Sequence, residues 1–335
     1  MLNPLLLLAP IIAFITTFLL TKRWIPVAFR VGLVGKDMNK LTQPAVAEMG
    51  GIALVGGIIG GMLFYISLNT FVLNQSVYNL DLFATLSTIL IIAFVGLIDD
   101  LLGWKIGLSQ LQKPLLTIPA ALPMMVVNAG HSSIALPLVG SLSLGLIFPL
   151  LFIPIGVVGA SNGFNMLAGY NGLEAGMGVI ILGTMGILAY LTGSSWVAMI
   201  ALVTVTALLA FLFFNWYPSK IFPGNAFTYM VGAIIACVAI LGNLEKLALI
   251  LFIPYYLDFL LPLRAKFKTE AFAKVNADGS LELPYHGIYD VTHLMLAVVK
   301  KIKHRVFETD VVLSIFAIEI ILALVGSALY WPFHL

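Results

Sequence analysis

Apolar runs of about 20 residues recur along the chain, separated by short gaps rich in glycine and polar residues. A helix rises 1.5 Å per residue, so such a run crosses a hydrocarbon layer of about 30 Å. The pattern predicts ten membrane helices, starting near Asn3, Met49, Asp81, Pro114, Leu142, Leu173, Trp196, Asn225, Leu247 and Val311. One gap is much longer than the rest, residues 263–310, and loops of that length usually carry function. Within it, "KVNADGSLEL" places Asp-Gly between alternating residues, which predicts a β-hairpin. Farther on, Ile288, Val291, Leu294, Val298, Ile302 and Val306 recur with a helical period beside "KKIKHR". That predicts an amphipathic helix, either lying on the inner leaflet among membrane lipids or docked on the protein. The expected fold class is an all-α polytopic membrane protein, one integral membrane domain over residues 1–335.

Composition sharpens this picture. Hydrophobic residues make up 61% of the chain and charged residues 10%, against about 25% charged in an ordinary soluble protein. The first apolar run has no basic residue ahead of it and Lys22 and Arg23 behind it, the reverse of a secretory signal. It is expected to stay attached with the N-terminus outside. Basic residues collect on the cytoplasmic side of a membrane, and with that orientation sixteen of the 17 do so, leaving only Lys246 outside. The polar chemistry should therefore lie on the cytoplasmic face. The single cysteine, Cys237, excludes a disulfide framework and a thiolate metal cluster, and the five histidines lack the close spacing of a zinc site. Nothing in the charge pattern points to a nucleic-acid partner.

Four stretches on the expected cytoplasmic side carry candidate chemistry. "FVGLIDD" (94–100) ends the third helix in Asp99 and Asp100. Two acids at a helix C-terminus oppose the macrodipole and repel each other, so they call for something positive, such as Mg²⁺ with a substrate phosphate; a plain helix stop is the alternative. "SNGFNMLAGYNGLEAG" (161–176) holds Asn162, Asn165, Asn171 and Glu174 without a basic residue. Amides ligate hard cations or read base edges, whereas Asn171-Gly172 is also a turn dipeptide. "NWYPSKIFPGNAF" (215–227) puts Asn225 near a helix N-terminus, suited to capping or to an anion or a phosphate-bound metal. "VGKDMNKLTQPAVAEMGG", with Lys36, Asp37, Met38 and Glu48, is by itself a weak signal.

In their order and placement these stretches resemble the polyprenyl-phosphate N-acetylhexosamine-1-phosphate transferases, over about Gly35 to Gly242. "LAGYNGLEAG" and "NWYPS" are most similar to the dolichyl-phosphate GlcNAc-1-phosphate transferases of eukaryotes and archaea, and the lack of long insertions suits an archaeal member, in which the site would lie at the plasma membrane. The resemblance implies Mg²⁺-dependent transfer of GlcNAc-1-phosphate from UDP-GlcNAc to a polyprenyl (dolichyl) phosphate with release of UMP, the first step of lipid-linked oligosaccharide synthesis. It further implies that Mn²⁺ can substitute, that tunicamycin inhibits, and that the protein forms a homodimer. Carried over by position, Asp99, Asp100 and Lys113 match the catalytic residues and Asn165 and Asn225 the metal ligands. Lys36, Asp37, Met38, Glu48, Asn171 and Glu174 match the nucleotide-sugar site, and Lys113, Asn162 and Asn165 the lipid-phosphate site, with residues 158–166 lining the groove.

Two departures stand out. Asn225 occupies a position where the family usually has aspartate, and the long loop lacks the basic and histidine cluster used around the sugar diphosphate, for which Lys266, Lys268 and Lys274 are the candidate substitutes. The rival from another class is a transporter of a phosphorylated or nucleotide-linked substrate, which predicts ionisable residues near the bilayer midplane. Here Glu319 is the main charge deep in a predicted span and Asp258 lies nearer an end, which favours an enzyme at the membrane boundary.

Overall fold

The computed structural model describes residues 3–106, 108–109, 111–136 and 140–330, without the side chains of 104–106, 133–136 and 140–142; the expected cytoplasmic Lys105 falls among these. Among the described residues, seven helices are long and apolar enough to cross a membrane. They are α1 (Leu8–Val31), α2 (Gly51–Ser67, continued by a π-helical turn Leu68–Val72), α3 (Asn79–Ile106), α7 (Leu173–Leu191), α8 (Ser195–Asn215), α9 (Asn225–Gly242) and α13 (Glu308–Tyr330). An eighth expected span is a pair, α10 (Glu245–Leu251) and α11 (Ile253–Leu263), bent by 50°. Pro254, at the start of α11, lacks the N–H that would continue the ladder.

The remaining two expected spans are shorter and broken. Pro119 and Pro123 divide the fourth into α4 (Gln112–Thr117), a 3₁₀ turn Ile118–Ala121 and α5 (Leu122–Val126). The fifth does not start near Leu142, which lies in a strand; it begins with a π-helical turn at Phe148 and continues as α6 (Ile153–Phe164). Both nevertheless run from the motif end to the opposite end, where Gly130 packs on the Ile240 backbone and Phe148 shares a cavity wall with Ile240 and Lys246.

Among the described residues, three short antiparallel pairs interrupt the otherwise helical fold: β1 (Val34–Lys36) with β2 (Ala45–Ala47), β3 (Ser133–Leu136) with β4 (Gly140–Ser143), and β5 (Lys274–Val275) with β6 (Leu281–Glu282). Only the last is the hairpin expected at "KVNADGSLEL". The first frames the site, since Phe222 N–H donates to Ala47 O and Gly50 and Gly51 donate to Phe222 O and Pro223 O. Lys22, Arg23 and Arg30 lie on α1 itself, which extends past them to Val31.

At the centre stands α9, whose apolar window is 94% buried. Two glycines let its neighbours approach. A Cβ on Gly96 of α3 would lie 2.5 Å from Ala226 Cα, and one on Gly232 of α9 would lie 2.3 Å from the Ala160 carbonyl of α6. Asp100 follows Gly96 by one turn on the same face, so this contact delivers it to the N-terminus of α9.

In the long loop, α12 (Val291–Ile302) packs on the protein with Val291, Met295 and Leu296 buried. The predicted stripe matches its buried face only at the start: Val291 is buried and Leu294 half-buried, but Val298 and Ile302 are exposed, and Ile288 and Val306 lie outside the helix. Asp258 of α11 accepts Val291 N–H at 2.9 Å, and Asp290 caps the helix through Thr292 N–H at 2.8 Å.

Candidate active site

The two aspartates, in the last turn of α3 before its break at Gly103, face different partners. Asp100 accepts the Asn225 and Ala226 N–H groups at 2.7 and 3.1 Å, which makes it the capping acceptor of α9. Asn225 is the first residue of that helix and does not cap it. Asp99, buried, accepts Leu108 N–H at 2.8 Å on Oδ1; its Oδ2 meets Lys113 Nζ at 3.0 Å and the Tyr229 hydroxyl at 3.2 Å. Of the three expected catalytic residues, Lys113 and Asp99 are thus in direct contact, whereas Asp100 is committed to the backbone of α9.

Two cavities meet beside them. The larger, about 810 Å³, is walled mainly by apolar residues of α11 such as Tyr255 and Phe259 and by Phe252 at the bend before it, and has Lys113, Asn162 and Asn165 in its lining. Of the stretch 158–166, Gly159, Gly163 and Met166 also line it, whereas Ser161 and Phe164 are fully buried away from it. The smaller, about 480 Å³, is polar and lined by Lys36, Asp37, Met38, Glu48, Glu174 and Asn225 among others. Asn165 lines both. Asn162 is held in place by donating to Thr117 Oγ1 and Val158 O.

The polar cavity is built from distant loops. Asn171 is buried with its polar groups committed: its N–H donates to Glu308 at 2.7 Å, its amide NH₂ to Asp37 at 3.2 Å, and its amide oxygen accepts Ser219 N–H at 2.8 Å. Lys40 bridges Asp37 and Glu308. Asn171 thus ties the first loop, the "NWYPS" loop and α13 together, and it is absent from the cavity lining. Glu174 accepts Gly169 N–H at 3.1 Å through one oxygen, while its other oxygen is buried without a partner. Asn215 behaves alike, donating to Ile221 O at 2.8 Å and leaving its amide oxygen unpartnered. Burial raises the Glu48 carboxyl above its ordinary range and pushes the Tyr170 phenol well up.

Lys266, Lys268 and Lys274 are exposed and line neither cavity. From the same loop it is Phe267 that reaches the large cavity and Phe272 the polar one, because the apolar side chains turn inward and the ammonium groups stay in water. Tyr229, Thr228, Asn215 and Glu308 are site residues that sequence reading passed over. Tyr229 had a signal, since it stands four residues after Asn225 on the same helical face.

A hard cation needs oxygen donors, and those at the junction are of that kind: the amide oxygens of Asn165 and Asn225, with Glu48 and Thr228 in the same lining. Asn165 Oδ1 accepts the Thr228 hydroxyl, which fixes its orientation. Among the described residues no cluster of three or more His, Cys, Asp or Glu is placed to hold a metal. The donor set thus suits Mg²⁺ that takes much of its coordination from substrate phosphates and water.

Fold and site define a multi-pass membrane protein that brings a lysine, two carboxylates and oxygen donors to the junction of an apolar groove and a polar pocket. The family model of glycosyl transferase family 4 matches residues 82–243. A Saccharolobus solfataricus protein named "Putative UDP-N-acetylglucosamine--dolichyl-phosphate N-acetylglucosaminephosphotransferase" is 36% identical over 329 residues, covering 97% of this chain and 96% of its own. A Sulfolobus acidocaldarius protein of the same name is 33% identical over 323 residues, 96% of this chain and 95% of its own. The Dictyostelium discoideum UDP-N-acetylglucosamine–dolichyl-phosphate N-acetylglucosaminephosphotransferase is 28% identical over 285 residues, 72% of this chain and 68% of its own. The chain belongs to glycosyl transferase family 4.

Proposed function

We infer that the protein transfers GlcNAc-1-phosphate from UDP-GlcNAc to a polyprenyl phosphate of the dolichyl type, giving polyprenyl-diphospho-GlcNAc and UMP. The observation that carries this reading is the junction at Asn165 of an apolar groove with Lys113 in its wall and a polar pocket of nucleotide size. The relatives' names agree with it and speak against a transporter. The lipid phosphate supplies its own nucleophile: its oxygen bonds to the phosphorus that bears the sugar, and the bond from that phosphorus to UMP breaks. The protein mainly has to hold two anions together and offset their repulsion.

In this reading Lys113 binds the acceptor phosphate at the groove, Asp99 holds the Lys113 ammonium there, and Asp100 fixes the first turn of α9. Asn165 and Asn225 would hold Mg²⁺, which would screen the diphosphate charge. Glu174 and Asn215 offer unpartnered acceptors to the N–H of the base, while Asn171 shapes the pocket by bracing its loops. We further read all ten traversing segments as membrane crossings, with the N-terminus outside and the site on the cytoplasmic face.

The direct test is to incubate the purified protein with dolichyl phosphate, Mg²⁺ and radiolabelled UDP-GlcNAc, with UDP-GalNAc and UDP-glucose in parallel. Label in an organic-soluble product, with UMP release abolished by a chelator, is expected for UDP-GlcNAc. Asn225→Asp adds a charged oxygen to the ligand set and is expected to lower the Mg²⁺ concentration for half-activation. Product formation indifferent to Mg²⁺ would remove the metal from the scheme, and no lipid-linked product from any donor would overturn the function.

A further inference from the structure

The third donor on Asp99 is a residue to which neither the sequence motifs nor the reaction scheme gives a role. Tyr229 is fully buried on α9, and its hydroxyl donates to Asp99 Oδ2 at 3.2 Å. Lys113 Nζ reaches that same oxygen at 3.0 Å, and the ammonium stands 6.0 Å from the Tyr229 ring centroid. Asp99 Oδ1 is anchored on Leu108 N–H. The carboxylate is thus held by donors from three separate segments: the linker after α3, α4 and α9. A carboxylate oxygen with a second donor shares its charge between the two and is fixed in rotation. Without the hydroxyl, Oδ2 has Lys113 as its one remaining side-chain partner among the described residues and draws the ammonium inward. Lys113 lines the large cavity, whereas Asp99, Lys113 and Tyr229 are all absent from the lining of the polar one.

We propose that Tyr229 is a positioning residue for the lipid side of the site: its hydroxyl fixes Asp99 so that the Lys113 ammonium is presented to the phosphate of the lipid acceptor. The proposal rests on the function inferred above. It predicts an asymmetric defect, because the group displaced serves the acceptor cavity and not the nucleotide cavity. Tyr229→Phe keeps the ring, its packing and the aromatic face under Lys113, and removes the hydroxyl alone.

Steady-state kinetics should show a rise of about tenfold in the KM for polyprenyl phosphate in Tyr229→Phe, with the KM for UDP-GlcNAc and the thermal midpoint unchanged. A purely structural tyrosine predicts a lowered midpoint with both KM values intact, and that result, or kinetics identical to wild type, overturns the proposal. A second measurement needs no turnover: calorimetric binding of a short-chain polyprenyl phosphate, with inorganic phosphate in parallel, to protein without nucleotide. Wild type should bind the lipid phosphate about tenfold more tightly than Tyr229→Phe. Equal affinities, or binding by neither protein, overturn the role of Tyr229. A wild type that binds in this pattern yet transfers nothing leaves Tyr229 in place and defeats the function; transfer with no difference at Tyr229 does the reverse.

Discussion

Two neighbouring aspartates have come apart into different tasks. Asp99 answers to Lys113 and Tyr229, whereas Asp100 satisfies two backbone N–H groups at the start of α9. Asp99→Asn is expected to cut transfer by about 100-fold or more while the thermal midpoint changes little. Asp100→Ala strands both N–H groups and should cost about 1–2 kcal/mol of stability as well as activity; circular-dichroism melts of the two variants check the contrast. Lys113→Ala is a poorer probe, because it leaves a buried carboxylate without its ion partner and destabilises the fold by about 3–5 kcal/mol. Glu48 gives a pH test. Burial raises its folded value above the ordinary one, so the fold favours the protonated form, and ionisation costs stability as pH rises through the raised value. Glu48→Gln is therefore expected to raise the thermal midpoint at about pH 8 and to leave it unchanged at about pH 4. The identity of these residues was legible in "FVGLIDD" and its companions. Their division of labour was not, since Asp100 and Asn225 meet across 125 positions of chain.

Among the elements, those with a strong apolar pattern were the easiest to read. The seven long helices follow from unbroken apolar runs, and the broken ones from prolines whose consequence for the path was underweighted. The long loop shows why periodicity alone misplaces a face. The stripe through Val298 and Ile302 is real in the sequence, yet α12 buries the face that α11 and α13 offer it, a choice made by neighbours far away in the chain. Its basic run is also largely spoken for: Lys300 pairs with Glu282, Lys303 with Asp310 and Arg305 with Asp278. These contacts clip α12 to the β5–β6 hairpin and to α13 more than they offer charge to lipid headgroups. On α13, Glu319 is fully buried and both its oxygens lack a partner. Replacing it with an apolar side chain of similar length removes the burial of an unpaired polar group, so Glu319→Met should gain about 1–3 kcal/mol, read as a raised melting midpoint with transfer retained.

For the whole molecule, the motif-bearing segments meet at one end, where Lys113 and Asn165 line the large cavity and Lys36, Glu48, Asn165 and Asn225 the polar one. On the proposed reading of ten crossings the number of traverses sets this arrangement, because without either short segment every later motif would fall on the other face. Cys237 is buried, so the chain offers a quiet background for topology labelling. With an impermeant thiol reagent on intact cells, Ser194→Cys, in the turn between α7 and α8, is expected to label, and Lys268→Cys only after lysis. The opposite pattern would invert the proposed orientation.

The large cavity is walled in part by Leu111, Tyr256, Phe259 and Leu260, apolar side chains that are also exposed on the outer surface of the helices. With the apolar helices set in a bilayer, a cavity with such a rim would open sideways onto the lipid phase. On the proposed reading, a product whose sugar diphosphate forms beside Lys113 would depart laterally, without passing through the polar pocket assigned to the nucleotide. The two products leave into different solvents, one two-dimensional and viscous, the other bulk water. Where release limits turnover, the rate should follow the fluidity of the bilayer and ignore glycerol added to the buffer, a dependence that reconstitution into vesicles of graded acyl-chain order would reveal.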